Sequence, residues 1–233
     1  MKEFLSQRIP NLEVIDVFNT PGGKEQLLTL GVRKMPCIAV GERYTFGQSS
    51  RDVAEFLGIP FEHEALAPGR LIVKYLELLA AAQRMVGQIP AEKMDERVIP
   101  NRPRTLRAFA YHIFRIAECY LVTHEGAEFS EVLFQAVPPG NVGSAAEIAA
   151  YGAEVRRRLA RWWDTTDDQD CARTIRTYYG VRPAHDVLER CAWHTAQHCR
   201  QLAAVLVRFG IPPDGAPTPE LLAGLPVPER LWE

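Results

Sequence analysis

Two histidines on one predicted helix are the residues of this sequence best suited to chemistry. His194 and His198 are four residues apart in WHTAQHCRQL, so on an α-helix they lie on one face, one turn apart. This spacing lets a single helix supply two imidazole nitrogens to the same metal ion. Helices whose histidines bind nothing show the same spacing, so the pair by itself leaves both interpretations open.

A third ligand for such an ion must come from another part of the chain. His112, in LRAFAYHIFRIAE, is the candidate, because it lies with Phe109 and Ile116 on an inward-facing apolar stripe. The alternative is a core histidine that forms a hydrogen bond with a backbone carbonyl. Spacing alone does not decide between the two roles.

Three further residues lie near the histidine pair on the same predicted helix. Gln201 falls close to its face and is a candidate hydrogen-bond partner for a metal-bound imidazole. Cys191 and Cys199 lie beside the pair in sequence, and each fits better as a small buried apolar side chain than as a thiolate ligand.

Composition and charge indicate an ordinary globular protein. The 233 residues are 47% hydrophobic and 24% charged, with a formal net charge of −2. Such a charge attracts neither nucleic acid nor an anionic membrane, and no apolar run reaches the roughly 18 residues of a membrane span. The five cysteines are odd in number and lack the spacing of a disulfide framework, so they are interpreted as thiols of a cytoplasmic protein.

The larger part of the chain has the periodicity of a helical bundle. Proline and glycine residues separate four long amphipathic segments, and each exceeds the mean helix length of roughly 12 residues. The predicted helices cover residues 69–87, 104–124, 144–164 and 184–209. Together they predict a four-helix domain over residues 66–212, followed by an arm over 213–233 that packs on the bundle.

Residues 1–62 have a different pattern, which predicts a small α/β domain. The fold class is therefore α+β with two domains. The predicted elements are a strand over Leu12–Val17, a helix from Gly22-Gly23 to Leu30, a hairpin over 36–40 and 43–46, and a last helix that Ser50 caps.

Residues 69–233 resemble the four-helix bundles of the DinB/YfiT type, which include thiol-dependent S-transferases and maleylpyruvate isomerases. The resemblance depends on YHIFRIAE in the second helix, on LERCAWHTAQHCRQL in the fourth, and on the closing GIPP and LAGLPVPERLW. It implies one divalent metal held by His112, His194 and His198. Zinc is the first choice, and nickel, iron and manganese are alternatives. The histidines that match no such position, interpreted as surface or linker residues, are His63, His124 and His185.

Three neutral ligands leave an open coordination position, which is typical of catalytic rather than structural metal sites. A thiol bound there would lose its proton more easily, and a bound water or carbonyl would be activated in the same way. The resemblance also implies a homodimer.

Residues 1–62 resemble a glutaredoxin in KMPC (34–37), in the hairpin that follows and in FGQSSRD (46–52). In that family the matching proline is cis and lies beside the bound glutathione, and the turn before the last helix receives a carboxylate. The resemblance therefore implies that Met35, Pro36, Ser50 and Asp52 bind glutathione; the alternative is a domain that only packs on the bundle. It also implies a first strand and a CxxC motif that this sequence lacks. Either a CxxC precedes Met1 or the domain serves as a platform without redox chemistry.

Together the two resemblances predict a metal-dependent transferase or isomerase that uses a low-molecular-weight thiol, glutathione first, on a small electrophile. Transfer and isomerisation are not separated. A non-catalytic metal- or thiol-binding stress protein is the second hypothesis. A metallohydrolase is third, because no carboxylate base is evident on the inward face of the fourth helix. The predicted partners are small molecules rather than nucleic acid or membrane.

Overall fold

The computed structural model describes residues 1–17, 19–100 and 103–232. The chain divides into two compact units. The first comprises residues 1–63 with 228–231, and the second comprises 64–227 with Trp232. In the first unit the elements are α1 (Lys2–Ser6), α2 (Gly23–Thr29), β1 (Cys37–Val40), β2 (Arg43–Phe46) and α3 (Ser50–Leu57).

The second unit is built on four long helices. Its elements in chain order are α4 (Pro68–Gly87), α5 (Leu106–His124), α6 (Glu131–Phe134), α7 (Ala145–Thr165), β3 (Thr174–Thr177), β4 (Gly180–Pro183), α8 (Ala184–Arg208) and α9 (Pro219–Leu222). The long helices α4, α5, α7 and α8 agree with the four predicted helices to within two residues at each end. The four-helix bundle is therefore confirmed.

Each long helix buries one apolar stripe in a common core. Helices α4 and α5 each pack against both α7 and α8, and α8 contributes Val187, Leu202 and Val205, all fully buried. Burial of such side chains contributes about 1.5–3 kcal/mol each. At Gly152, an added methyl group would overlap the ring of Phe114, so glycine allows α5 and α7 to approach closely here.

The hairpin of the first unit agrees with its prediction. Cys37 pairs with Phe46 and Val40 with Arg43, and Gly41-Glu42 form the two-residue turn, in which Gly41 has a φ of 59°. This positive φ is the reason glycine is favoured in such a turn.

Two other predictions for the first unit are wrong. Residues 12–17 belong to no strand, because an extended segment forms a strand only when a neighbour pairs with its backbone, and β1 pairs with β2 instead. The cap of α3 is Ser49 rather than Ser50, since the Ser49 side chain accepts a hydrogen bond from the Asp52 amide at 3.2 Å.

The hairpin of β3 and β4 was not predicted. Thr174 pairs with Pro183 and Thr177 with Gly180, and the Phe129 amide donates to the Arg176 carbonyl at 2.9 Å. In return the Tyr178 amide donates to the Phe129 carbonyl at 3.0 Å. These bonds hold Phe129 and Tyr178 close to the first half of α8.

The segment after α8 contacts α4 over residues 212–221. Lys74 Nζ donates to the Glu220 carbonyl at 2.6 Å, Gln88 Nε2 donates to the Pro212 carbonyl at 2.9 Å, and Arg84 pairs with Asp214 at 3.2 Å. Residues 228–231 belong to the first unit.

Within the described ranges, every helix is too short or too polar to cross a membrane.

Candidate metal centre

Helices α5 and α8 bring three imidazoles together inside the bundle. His112 comes from the middle of α5, and His194 and His198 come from successive turns of α8. One ring nitrogen of each lies within 4.8 Å of the other two, and the ring centroids are 4.6 to 5.7 Å apart. We name these residues the three-histidine cluster. Histidine nitrogens that bind one ion at about 2.1 Å each must converge in this way, so the cluster could hold a metal.

The cluster is largely removed from solvent. His112 is only 4% exposed, and although His194 and His198 are half-buried overall, His194 Nδ1 and His198 Nε2 are buried atoms. Among the described residues, no protein group forms a hydrogen bond with His194 Nδ1. A buried polar atom in this state is destabilising by roughly 1–3 kcal/mol, and a metal ion held by the cluster fits this observation.

The Gln201 side chain determines which His198 nitrogen is available. Gln201 Oε1 lies 2.7 Å from His198 Nδ1, and an amide oxygen can only accept, so Nδ1 carries the proton. The lone pair is therefore on the buried Nε2. Partners of this kind orient metal-bound imidazoles and raise their basicity, and Gln201 takes the position expected of it from the sequence.

Two imidazoles of the cluster, those of His112 and His194, are held neutral. Burial lowers the pKa of His112 well below its ordinary value; Arg104, His198 and Arg190 lower it further, and a hydrogen bond with the backbone of Phe134 opposes them. Burial also lowers the pKa of His194, with His198 and Arg190 as the next causes. A metal binds the neutral imidazole, so both side chains are ready to act as ligands at neutral pH.

Aromatic rings surround the cluster. The Phe134 ring lies 4.8 Å from the His112 ring and 5.3 Å from the His194 ring, centroid to centroid. The Phe109 ring lies 5.1 Å from that of His198. Among the described residues, the ligand group contains no carboxylate or thiolate, so a divalent ion there would keep its full charge and act as a strong Lewis acid.

The cysteines beside the pair have a structural role. Cys191 and Cys199 are both fully buried, and burial raises the pKa of each thiol to about 12. The Cys199 thiol donates to the Leu78 carbonyl at 3.5 Å. Neither is a thiolate at neutral pH, which agrees with their interpretation as small buried side chains.

The other histidines are apart from the cluster. His63 lies in the first unit, with its ring 5.9 Å from that of Phe61. His185 Nε2 lies 2.8 Å from the Leu66 carbonyl. His124 is half-buried, with its ring 4.7 Å from Tyr120 and 4.5 Å from Trp162.

The four residues predicted to bind glutathione lie in the first unit, two of them just before β1 and two in α3. The Met35–Pro36 peptide is cis, the Gly47 amide donates to the Pro36 carbonyl at 2.8 Å, and Gln48 Nε2 donates to the Met35 carbonyl at 3.3 Å. Ser50 and Asp52 lie in the first turn of α3.

Three residues near the cluster were not singled out from the sequence. Arg190 is one turn before His194 on α8, a spacing that the sequence displays. Phe134, in the short helix α6, and Arg104, just before α5, carry no comparable signal, because only tertiary packing brings loop residues to the cluster.

A four-helix bundle with a three-histidine cluster on its second and fourth long helices defines a class of metal-binding bundle proteins. The family model of the DinB superfamily matches residues 44–202, which is more than half of the chain and includes the whole cluster. The protein belongs to the DinB superfamily. No curated protein matches the chain.

Proposed function

We propose that this protein is a metal-dependent transferase or isomerase that uses a low-molecular-weight thiol, glutathione in the first instance, on a small electrophile. The observation that carries the proposal is the set of three converging imidazoles, of which burial keeps His112 and His194 neutral, with no carboxylate or thiolate of the described residues in the ligand group. Zinc is the metal we expect, with nickel, iron and manganese as alternatives, since imidazole ligands suit several divalent ions.

His112, His194 and His198 would hold the ion. When bound, a divalent metal lowers the pKa of a coordinated thiol and polarises a carbonyl. Gln201 keeps the proton of His198 on Nδ1 and so directs Nε2 inward. Phe109 and Phe134 pack against the rings of His198 and His112, and such apolar surroundings strengthen electrostatic interactions.

The first unit, in this proposal, is a glutaredoxin-like platform that binds the thiol. Met35 and Pro36 would face the peptide part of glutathione, and Ser50 and Asp52 would lie near its carboxylate at the start of α3. The helix N-terminus favours an anion on electrostatic grounds. We also propose that the protein acts as a homodimer.

A spectroscopic titration of the thiol tests the proposal. Zinc-loaded protein should lower the apparent pKa of the glutathione thiol, followed through the ultraviolet absorbance of the thiolate. A double variant, His194→Ala with His198→Ala, should leave that pKa unchanged. An unshifted pKa with zinc-loaded wild-type protein would sink the proposal.

A panel of electrophiles separates the remaining hypotheses. Enones, epoxides and halides should be consumed only when metal and glutathione are both present. Consumption without thiol would indicate a metallohydrolase, and binding of metal and thiol without any turnover would indicate a non-catalytic protein.

A further inference from the structure

The one-turn helix α6 covers one side of the three-histidine cluster. Phe134, at its end, is 7% exposed, whereas Val132 is 84% exposed, so α6 turns one side toward the protein interior and the other toward solvent. The Phe134 ring contacts the rings of His112 and His194, at 4.8 and 5.3 Å between centroids. Because His194 Nδ1 is a buried atom, an ion or ligand that approaches it from this side must displace Phe134.

The chain is held more firmly before α6 than after it. Before α6, the amide and the carbonyl of Phe129 both form hydrogen bonds with the β3–β4 hairpin. After α6, within the described part of the chain, residues 135–142 form hydrogen bonds only with one another and with residues 131–133. Most of residues 135–142 are exposed. This arrangement fits a hinge at Phe129 and a following segment that can move.

Arg115 binds the end of α6 that lies farther from this hinge. It lies on α5 one turn after His112, and its Nε donates to the Leu133 carbonyl at 2.8 Å. The last carbonyls of a helix have no partner within the helix, so the guanidinium supplies one here. A hydrogen bond from a charged donor is also stronger than one between neutral groups. Arg115 therefore ties α6 to α5 beside the cluster.

Glu118 fixes the guanidinium of Arg115. Both side chains are largely buried, and the carboxylate accepts hydrogen bonds from Arg115 Nη1, from the Tyr151 hydroxyl at 2.5 Å and from Arg158 Nη1 at 3.0 Å. Burial raises the pKa of Glu118, but the hydrogen bonds from Tyr151 and Arg115 outweigh it and hold that pKa below its ordinary value. Glu118 is therefore an anion at neutral pH and orients Arg115 toward α6.

We propose that Arg115 and Glu118 form a latch that keeps Phe134 over the three-histidine cluster, and that α6 moves outward about Phe129 when a metal ion or a small ligand enters or leaves. We name the pair the α6 latch. Arg115 is then a positioning residue, because it acts on the cluster through α6. The inference goes beyond the proposed function, since it concerns access to the cluster and holds whether or not a thiol reacts there.

Zinc exchange tests the α6 latch, because control of access changes two rates together. Mixing of metal-free protein with zinc and an indicator gives the association rate constant, and transfer of zinc to excess chelator gives the dissociation rate constant. Arg115→Met should raise both by the same factor, roughly tenfold, the effect of losing one charge-assisted hydrogen bond that keeps α6 closed. Phe134→Ala should also raise both. The dissociation constant should stay the same.

The opposing result is a change in only one rate. Faster release with unchanged or slower association would mean that α6 supports His112 as a ligand but does not control access, and this would overturn the proposal. Wild-type protein that binds no zinc at the cluster would overturn it too, because no ion would then be held behind α6. If Phe134→Ala does not fold, Phe134→Leu takes its place.

Arg158→Gln is the matched control for Arg115→Met. It removes another partner of Glu118 but leaves the bond from Arg115 to the Leu133 carbonyl, so both rates should stay near those of the wild type. Arg115→Lys keeps a charged donor and should restore part of the slow exchange. All variants must show the circular dichroism of the wild type and bind one equivalent of zinc. Equal acceleration in Arg115→Met and Arg158→Gln would contradict a specific role for Arg115.

Hydrogen exchange of the metal-free protein gives a second readout that needs no ion. The amides of Phe134 and Gln135 donate to carbonyls of α6 and its cap, and they should exchange faster in Arg115→Met, because a single turn without tertiary support opens readily. The Phe129 amide should keep its protection in both proteins. Unchanged exchange at Phe134 and Gln135 would overturn the latch. An unshifted thiol pKa together with accelerated zinc exchange would instead remove the proposed function and leave the latch standing.

Discussion

The bundle holds histidines in a largely buried environment and in a half-buried one, and the two differ in their neighbours. In the three-histidine cluster, rings from α5 and α8 converge until their nitrogens lie within 4.8 Å of one another. At the end of α5, His124 packs between Tyr120 and Trp162, and we name this environment the His124 site. Burial is the largest cause of a lowered pKa in both, and it brings the pKa of His124 to about 4.

The contrast shows that burial makes an imidazole neutral but does not make it a metal ligand. At the His124 site, Arg173 Nη1 lies 3.4 Å from Nδ1, and a guanidinium can only donate, so it occupies the lone pair of that nitrogen. In the cluster, Gln201 Oε1 accepts a hydrogen bond from His198 Nδ1, so the lone pair of that imidazole is on Nε2. Two features therefore distinguish the environments: the convergence of three rings in the cluster, and the type of side chain that forms a hydrogen bond with the imidazole.

Removal of the histidine pair of α8 should have the largest effect. Protein purified without a histidine tag should carry near one equivalent of divalent metal, measured by mass spectrometry. The double variant His194→Ala, His198→Ala should carry none, because one remaining imidazole cannot hold the ion. His124→Gln is the matched control and should keep its metal. Metal retained by the double variant, or lost from His124→Gln, would contradict the distinction.

Metal should also stabilise the folded protein through the cluster alone. Zinc at about a thousand times its dissociation constant raises the free energy of unfolding by about 4 kcal/mol when only the folded state binds it. Urea unfolding with zinc and with a chelator should show this difference in wild type and in His124→Gln. The double variant should unfold at the same urea concentration in both conditions, and a zinc effect in that variant would place the ion elsewhere.

Loss of the Gln201 side-chain amide should weaken metal binding without abolishing it. Gln201→Leu should lower zinc affinity roughly 10- to 100-fold, the usual effect of removing a group that orients a ligand. Competition with a chromogenic chelator measures the change. Gln197→Leu is a fair control, because Gln197 is equally buried on α8 and its Oε1 accepts from Arg200 instead. Equal losses in the two variants would mean that burial, rather than orientation, is what Gln201 contributes.

The sequence predicts the long helices on which this comparison depends, because their apolar residues recur at helical spacing. The segments around His112 and His194 are apolar at helical spacing and bounded by glycine or proline, so the spacing placed the histidine pair on one face of α8. The prediction that His112 lies opposite this histidine pair came from the family resemblance, because no local sequence pattern indicates which helices pack together.

Features that depend on tertiary neighbours were missed or wrong. The segment 12–17 has the composition of a strand but, within the described residues, no paired neighbour. Phe134 reaches the cluster from the short helix α6, and Arg104 acts on it electrostatically from the segment before α5. His124 was interpreted as a surface or linker residue because it matches no ligand position of the family, and its half-buried position against Trp162 carries no sequence signal.

The His124 site should show itself through pH rather than through metal. An unfolded imidazole takes up a proton near its ordinary pKa of 6.5, whereas folded His124 does so only near 4. The unfolded state therefore binds more protons in this window, and His124 makes stability fall as the pH falls from 6.5 toward 4. Metal-free wild type should lose about 1 kcal/mol more than His124→Gln between roughly pH 7 and pH 5, a figure reduced for the solvent exposure of the ring.

Urea unfolding of both proteins at the two pH values measures this difference. His112 and His194 have the same direction of shift and contribute equally to wild type and variant, so they cancel in the comparison. Parallel losses in the two proteins would mean that His124 is protonated as easily when folded as when unfolded. The two sites would then differ in hydration, because His124 would be solvated whereas the three-histidine cluster would be dry.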